Sequence, residues 1–470
     1  MLPLVEFPQI VQHYAPWFEA VFSAEALVQF QRYLSWLIIS ENKTVEGINR
    51  LFVIESRHQS SLNRLLTASP FSETALNQRR LALLNSLEGT QVKPKGVLSV
   101  DDTLLTHYGQ HFDEIAILYD PTEKRYSWAH NLVNLHYSDD QTDYPLYFQL
   151  WKPADLGKIE QGLQAADICL RESKFALKES DPKKWRQYLL GVWSRKQGQP
   201  EVAALYQSKL LIARQLLRRW VDEHPELKLP VTFDNWYTQP AFCRFLDQEL
   251  ELPYVGTLAR DDQVILKRGR LTLKEFAEQL KQEHLQAVAA GGNPVFHKIG
   301  ITYKGEKETY YSYCRTHRIH NLGKQRLVIN FDQPDLSDSP SFYNSNRLIW
   351  QSVGITRIRR HRWPVEVYHE EGKQEGLDKY QVRNFQAISR HIGLVAVAYS
   401  LLRATPHDAA LLHKLQRQLE MDLKGGTPFW RRATQAQSLW ALACFISAGL
   451  TQGQSLRDLM APLLAAVCYR

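Results

Sequence analysis

Arg362, Glu366 and Lys373 lie within RWPVEVYHEEGK, at a spacing that would set them up for chemistry on a charged substrate. At about 100° per residue, Arg362 to Glu366 drifts roughly 40° around a helix and Arg362 to Lys373 roughly 20°. One helix would therefore carry a cation, a carboxylate and a second cation in a single stripe. Pro364 suits a first helical turn, where its missing N–H is not needed, so Arg362 belongs at the helix edge. Taken alone, the stripe also reads as a solvated i,i+4 ion pair. Two further acids bear on the choice. Asp102 sits in the apolar run VLSVDDTLL and Asp234 ends LPVTFDNWY. Each is a costly place for a charge without a partner. Carboxylates gathered from separate elements repel one another, and oxygen-ligated divalent ions relieve that repulsion. Acids rather than His or Cys favour Mg²⁺ or Mn²⁺ over Zn²⁺. Two such ions can stabilise the attacking and leaving oxygens of an in-line phosphoryl displacement.

The elements that must position these residues can be read from the rest of the chain. At 470 residues it is too long for one core. The net charge of +7, with 12 Trp and 21 Tyr, is compatible with a nucleic-acid partner. Five scattered cysteines without a C-x-x-C pair argue against a zinc site or a disulfide framework and fit a reducing cytoplasm. The start, MLPLVEFPQIVQHY, lacks the pattern of a signal peptide, and the apolar stretch 394–402 is too short to span a bilayer.

Residues 1–93 read as helices. Leu27, Phe30, Tyr33, Leu34 and Leu37 have helical spacing, and Thr44 would cap a helix over 45–56. Arg50, Arg57, Arg64, Arg79 and Arg80 suit a helix-turn-helix DNA reader, or equally a helical cap with solvated arginines. From 94 to 258 the pattern is four strands in succession (97–105, 114–119, 125–137 and 144–151). A mixed, Lys-rich stretch follows at 161–181, then a helix over 201–223 and a strand ending in Asp234. A helix over 239–250 and a strand at 252–260 complete this part. Residues 259–348 read as a β-rich insertion after a helix at 273–290. Lys298, Tyr303, Lys304, Tyr310, Arg315 and Arg318 interleave basic and aromatic character there. The third acid's helix falls in 349–402, and 403–470 are helical. Asp139, Asp140, Asp143, Asp261 and Asp262 fall in polar turns, where solvation is expected.

These features together resemble the DDE transposases of bacterial insertion sequences, which have a mixed α/β ribonuclease H-like core. The likeness is to the group whose third acid carries the signature Y-x2-R-x3-E-x6-K. Arg362, Glu366 and Lys373 match it in register and Trp363 follows the Arg; Arg359 stands where the Tyr is expected. VLSVDDT resembles the first-acid strand and VTFDNWY the second, with a β-rich insertion before the third. The resemblance covers about residues 95–402. It implies that Asp102, Asp234 and Glu366 bind two Mg²⁺, with Mn²⁺ a possible substitute. Asp101 adjoins Asp102, and only one of them can face a site. Asp102 is preferred because a Thr follows the acid in the family.

The same resemblance implies that Arg362 and Lys373 grip DNA phosphate, with Arg359 beside them. An aromatic, from Trp363, Trp236 or Trp350, would stack a flipped base. His369 and Glu370 share the helix face with Glu366 but lack a third zinc ligand nearby. The implied activity is cleavage of double-stranded DNA at transposon terminal inverted repeats and joining of the 3′-hydroxyl to target DNA. A homodimer would pair the ends in the cytoplasm, at the nucleoid and away from any membrane. Two rival readings are a metal-dependent nuclease without strand transfer and a DNA-binding descendant that has lost catalysis. Retention of the three acids with Arg362 and Lys373 argues against the second.

Overall fold

The computed structural model describes residues 3–41, 43, 52, 60–267, 269–419 and 423–468, the last four by backbone alone. The predicted cap Thr44, the helix over 45–56 apart from Phe52, and the arginines Arg50 and Arg57 lie outside the described residues. The chain's organising strand is β1 (Val97–His107), whose Leu98, Val100 and Leu105 are fully buried. β2 (Ala116–Asp120), β3 (Arg125–Ser138) and β4 (Asp143–Trp151) follow as an antiparallel meander, with β1 and β4 on opposite sides of β3. The turn between β2 and β3 is closed by the Asp120 carboxylate, which accepts the N–H groups of Thr122 and Glu123. On the other side of β1 run β5 (Val231–Phe233) and β6 (Tyr254–Thr257), both parallel to it. The order β4-β3-β1-β5-β6, antiparallel then parallel, is that of the expected ribonuclease H-like core. β5 and β6 are almost wholly buried, as expected of parallel strands covered on both faces.

The helical excursion between β4 and β5 is more broken than the sequence pattern predicted. Instead of one helix over 201–223, a short turn at Pro200–Ala203 precedes α1 (Lys209–Glu223). Ser208 makes the break: its hydroxyl accepts the N–H of Leu211 and so starts a new helix. Residues 156–203 bury a small core of their own around Ile159, Leu163, Trp185, Leu189 and Trp193.

The β-rich insertion extends the same sheet. β12 (Ser341–Ser345) pairs antiparallel with β6, and β11 (Gly323–Phe331) and β10 (Glu306–Ile319) continue outward. β9 (His297–Tyr303) and the β7–β8 hairpin (Gln263–Leu266, Gly269–Thr272) complete a twelve-stranded sheet among the described residues. One face of this extension packs on the helix Leu273–Ala289, which opens with a Thr272–Glu275 capping box.

The N-terminal helices share a core with the sheet. Phe30, Trp36, Leu62, Leu76 and Leu84 join one cluster with Leu132, Leu146, Leu394, Val397, Leu401 and Trp430. Arg80, which the sequence left equally to DNA or to solvent, is fully buried and donates to the Ser400 hydroxyl at 2.9 Å and the Leu146 carbonyl at 3.0 Å. It is therefore a structural residue, satisfied by core acceptors. The helix Phe385–Ala404 is longer than the apolar stretch suggested and long enough to cross a membrane. However, 78% of its most apolar stretch is covered by neighbouring elements, which makes it the central core helix.

Candidate active site

β1 and β5 run in parallel register, with Val100 opposite Phe233. The next residue on each strand is an acid, Asp101 on β1 and Asp234 after β5. Two helices approach from the C-terminal part of the chain, α2 (Ser352–Arg360) and α3 (Trp363–Glu375). His361 separates them, Arg362 is the N-cap of α3, and Pro364 sits in its first turn. The junction is pinned to the sheet. The Ser99 hydroxyl donates to the His361 carbonyl at 2.9 Å, and the Ser138 hydroxyl hydrogen-bonds His361 Nδ1 at 2.9 Å.

Ser99 and Asp101 lie on the same face of β1, so the pin sets Arg362 over Asp101. Arg362 Nη1 donates to Asp101 Oδ2 at 2.8 Å, and Nη2 donates to Glu366 Oε1 one turn along. One guanidinium thus joins the first strand's acid to the third acid's helix, and its side chain is only 11% exposed. Burial pushes the Asp101 carboxyl up to about 7; Arg362 opposes this, and Asp234 and Asp102 add to it. Asp234 is also raised, by burial and by Asp102, against the N–H groups of Tyr237 and Trp236 that bind its Oδ1.

Asp102, preferred from the sequence, points to the opposite face of β1. There its Oδ2 accepts Asn131 Nδ2 at 2.6 Å and Lys209 Nζ at 2.9 Å, and its Oδ1 accepts the Tyr237 hydroxyl at 2.9 Å. Arg362 thus joins Asp101 to Glu366 on one face of β1 and Asp102 lies on the other, while Asp234, after β5, is near enough to both Asp102 and Arg362 to feel their charges. Lys209, Asn131 and Tyr237 escaped the sequence reading. They come from three separate elements, and no spacing in the chain relates them to Asp102.

Arg359, at the expected Tyr of the signature, is close enough to Arg362 for the two charges to repel. It has no acid partner among the described residues and its Nε is buried without an acceptor. Its guanidinium lies 5.7 Å from the centroid of the Tyr343 ring, so β12 brings an aromatic to this position from elsewhere in the chain. Burial and the neighbouring Arg362 push its pKa down to about 10. Lys373 is half-buried and makes no ion pair among the described residues. Trp236 and Trp363 are exposed at 42% and 49%, whereas Trp350 is half-buried against the cluster of Val97, Val255, Val328, Ile355 and Ile358. Arg64 is exposed on the helix Ser60–Thr67, remote in sequence from these elements. His369 is buried and bonded to Asn134 at 2.9 Å; burial and the nearby His136 hold it neutral.

Two of the turn acids are not solvated. Asp139 closes its own turn and is buried, accepting the N–H groups of Gln141 and Thr142. Asp143 is fully buried between Lys304 at 2.7 Å and Arg403 at 3.0 Å. Burial alone would raise its pKa, but Arg403, His136 and Lys304 hold it well below the usual carboxylate range.

The donors around Arg362 are all carboxylate oxygens, which fits a hard divalent cation. Among the described residues no three acidic, imidazole or thiol groups stand close enough to hold an ion as they lie. Arg362 supplies the positive charge between Asp101 and Glu366.

Comparison with known proteins gives a match to the model of the DDE superfamily endonuclease family over residues 20–275, more than half of the chain. That span includes Asp101, Asp102, Lys209 and Asp234 and ends before Arg362 and Glu366. No curated protein matches the chain.

Proposed function

The chain belongs to the DDE superfamily endonucleases, and on that footing we propose that it is a transposase acting at the ends of a mobile DNA element. The observation that carries this reading is the Arg362 bridge between Asp101 and Glu366 beside Asp234. It joins acids from two elements on one guanidinium, a group well shaped for phosphate, with Asp234 of a third element within reach of its charge. We assign Asp101, rather than Asp102, as the first acid, with Asp234 and Glu366 as the second and third.

These three acids would hold the divalent ions, Mg²⁺ or Mn²⁺. When bound, such ions polarise the scissile phosphate and generate the attacking oxygen nucleophile. The chain's own residues do the rest. Arg362 would turn its fork from Asp101 onto a phosphate oxygen, for which a planar guanidinium is well shaped. Lys373 adds a point charge further along α3. Arg359, beside Tyr343, contributes a second guanidinium that forms no ion pair among the described residues. Trp236 or Trp363 offers the exposed ring for an unstacked base.

Hydrolysis would leave a 3′-hydroxyl, and its attack on target DNA would complete cut-and-paste transfer in the cytoplasm. A homodimer would hold the two ends together. An endonuclease that stops after hydrolysis is distinguished by incubating a pre-cut end with a plasmid target. Joined products support transfer; cleavage of uncut duplex without joining would reduce the function to hydrolysis.

A further inference from the structure

We propose that Lys209 is a positioning residue for the reacting DNA strand: it takes the phosphate next to the one being cut. This inference rests on the nuclease reading of the acid cluster. Lys209 opens α1, and its ammonium is held from two sides, by Asp102 Oδ2 at 2.9 Å and by the Trp236 ring, 4.2 Å away at the centroid. Both holders are tied directly to an acid of the site. The Asp102 N–H donates to Asp101 Oδ1 at 2.9 Å, and the Trp236 N–H donates to Asp234 Oδ1 at 3.1 Å. Lys209 therefore spans the two strand ends that carry the first and second acids, on the side away from Arg362.

Its charge is only partly used there. Asp102 divides its acceptance among Asn131, Tyr237 and Lys209, so the carboxylate is satisfied by more than the lysine. An ammonium has three donors. Asp102 takes one, and the ring face attracts the cation without neutralising it. The side chain is 23% exposed, enough for an outside oxygen to reach it. A purely structural cation would be expected to sit as Arg80 does, fully enclosed by acceptors.

The test uses the full chain and a fluorescein-labelled random-sequence DNA duplex, with binding followed by anisotropy across a salt series without divalent ions. Lys209→Ala is expected to lower the slope of log K against log salt by about 0.9, the value of one phosphate contact. Lys209→Arg is expected to restore it. Asp101→Asn, tested beside it in Mn²⁺, is expected to lose cleavage. A Lys209→Ala protein with lowered melting temperature and an unchanged slope would mean that the lysine only braces Asp102, and would overturn the inference. Cleavage by Asp101→Asn would instead remove the nuclease reading on which the inference rests.

Discussion

Exchanging each adjacent aspartate for asparagine separates the two faces of β1. The side chains are the same size, so what changes is charge. Asp101 shares Arg362 with Glu366 and is the acid a divalent ion would need. At about 4 Å and an effective dielectric near 20, one unit-charge interaction amounts to about 4 kcal/mol. Losing that much in the transition state lowers the rate by about three decades. Asp102→Asn keeps one oxygen for Asn131 or Tyr237 and gives up the other of these hydrogen bonds together with the ion pair to Lys209, in which both partners are partly exposed. About 1 kcal/mol is at stake, which is less than tenfold in rate. The assay is nicking of supercoiled plasmid in Mn²⁺, with thermal melts to confirm that both variants fold. Loss of nicking in Asp102→Asn together with near-normal nicking in Asp101→Asn would refute the assignment.

Glu366→Ala is expected to bind DNA as the wild type does and to give no cleavage in Mg²⁺, read by anisotropy and gel on the same samples. Arg403→Met strands the fully buried Asp143 with Lys304 and His136, and should cost about 3 kcal/mol in urea unfolding; an unchanged midpoint would show the network to be dispensable. His391 is enclosed by Tyr33 and the Gly376 carbonyl, and burial pushes it down from its ordinary 6.5 to about 4. Its folded pKa lies below the unfolded one, so its stabilisation is complete above pH 6.5 and is lost as pH falls towards 4. The loss is about 3 kcal/mol. Urea midpoints measured from pH 7 to 4 should fall, and His391→Gln should flatten that dependence.

Much of the fold was legible because local patterns carry it. The apolar run at 97–105 reads as a buried strand, and 125–137 as another strand of the same succession. Pro364 put Arg362 at a helix edge, and the four-residue step to Glu366 is an intrahelical relation that any helix preserves. The insertion's strands were visible in their alternation. That they continue the core sheet was not, since pairing of β12 with β6 joins residues far apart in the chain. The burial of Asp139 and Asp143 was hidden in the same way. SDDQTD is polar enough to read as solvent-facing, and only Lys304 and Arg403, arriving from distant elements, make its last acid a core residue.

The sequence by itself determined that a strand would carry two adjacent acids, and that a helix would bring a cation and a carboxylate one turn apart. Only the tertiary structure decided which of the two acids meets that helix. Alternation places Asp101 and Asp102 on opposite faces but cannot say which face is covered by what. The Ser99 hydroxyl on the His361 carbonyl settles that, because it fixes the helix junction on the face of the odd-numbered residues. The same packing turns Asp102 towards Lys209 and Tyr237. Side-chain parity is a property of one strand, whereas the choice of face depends on elements hundreds of residues away.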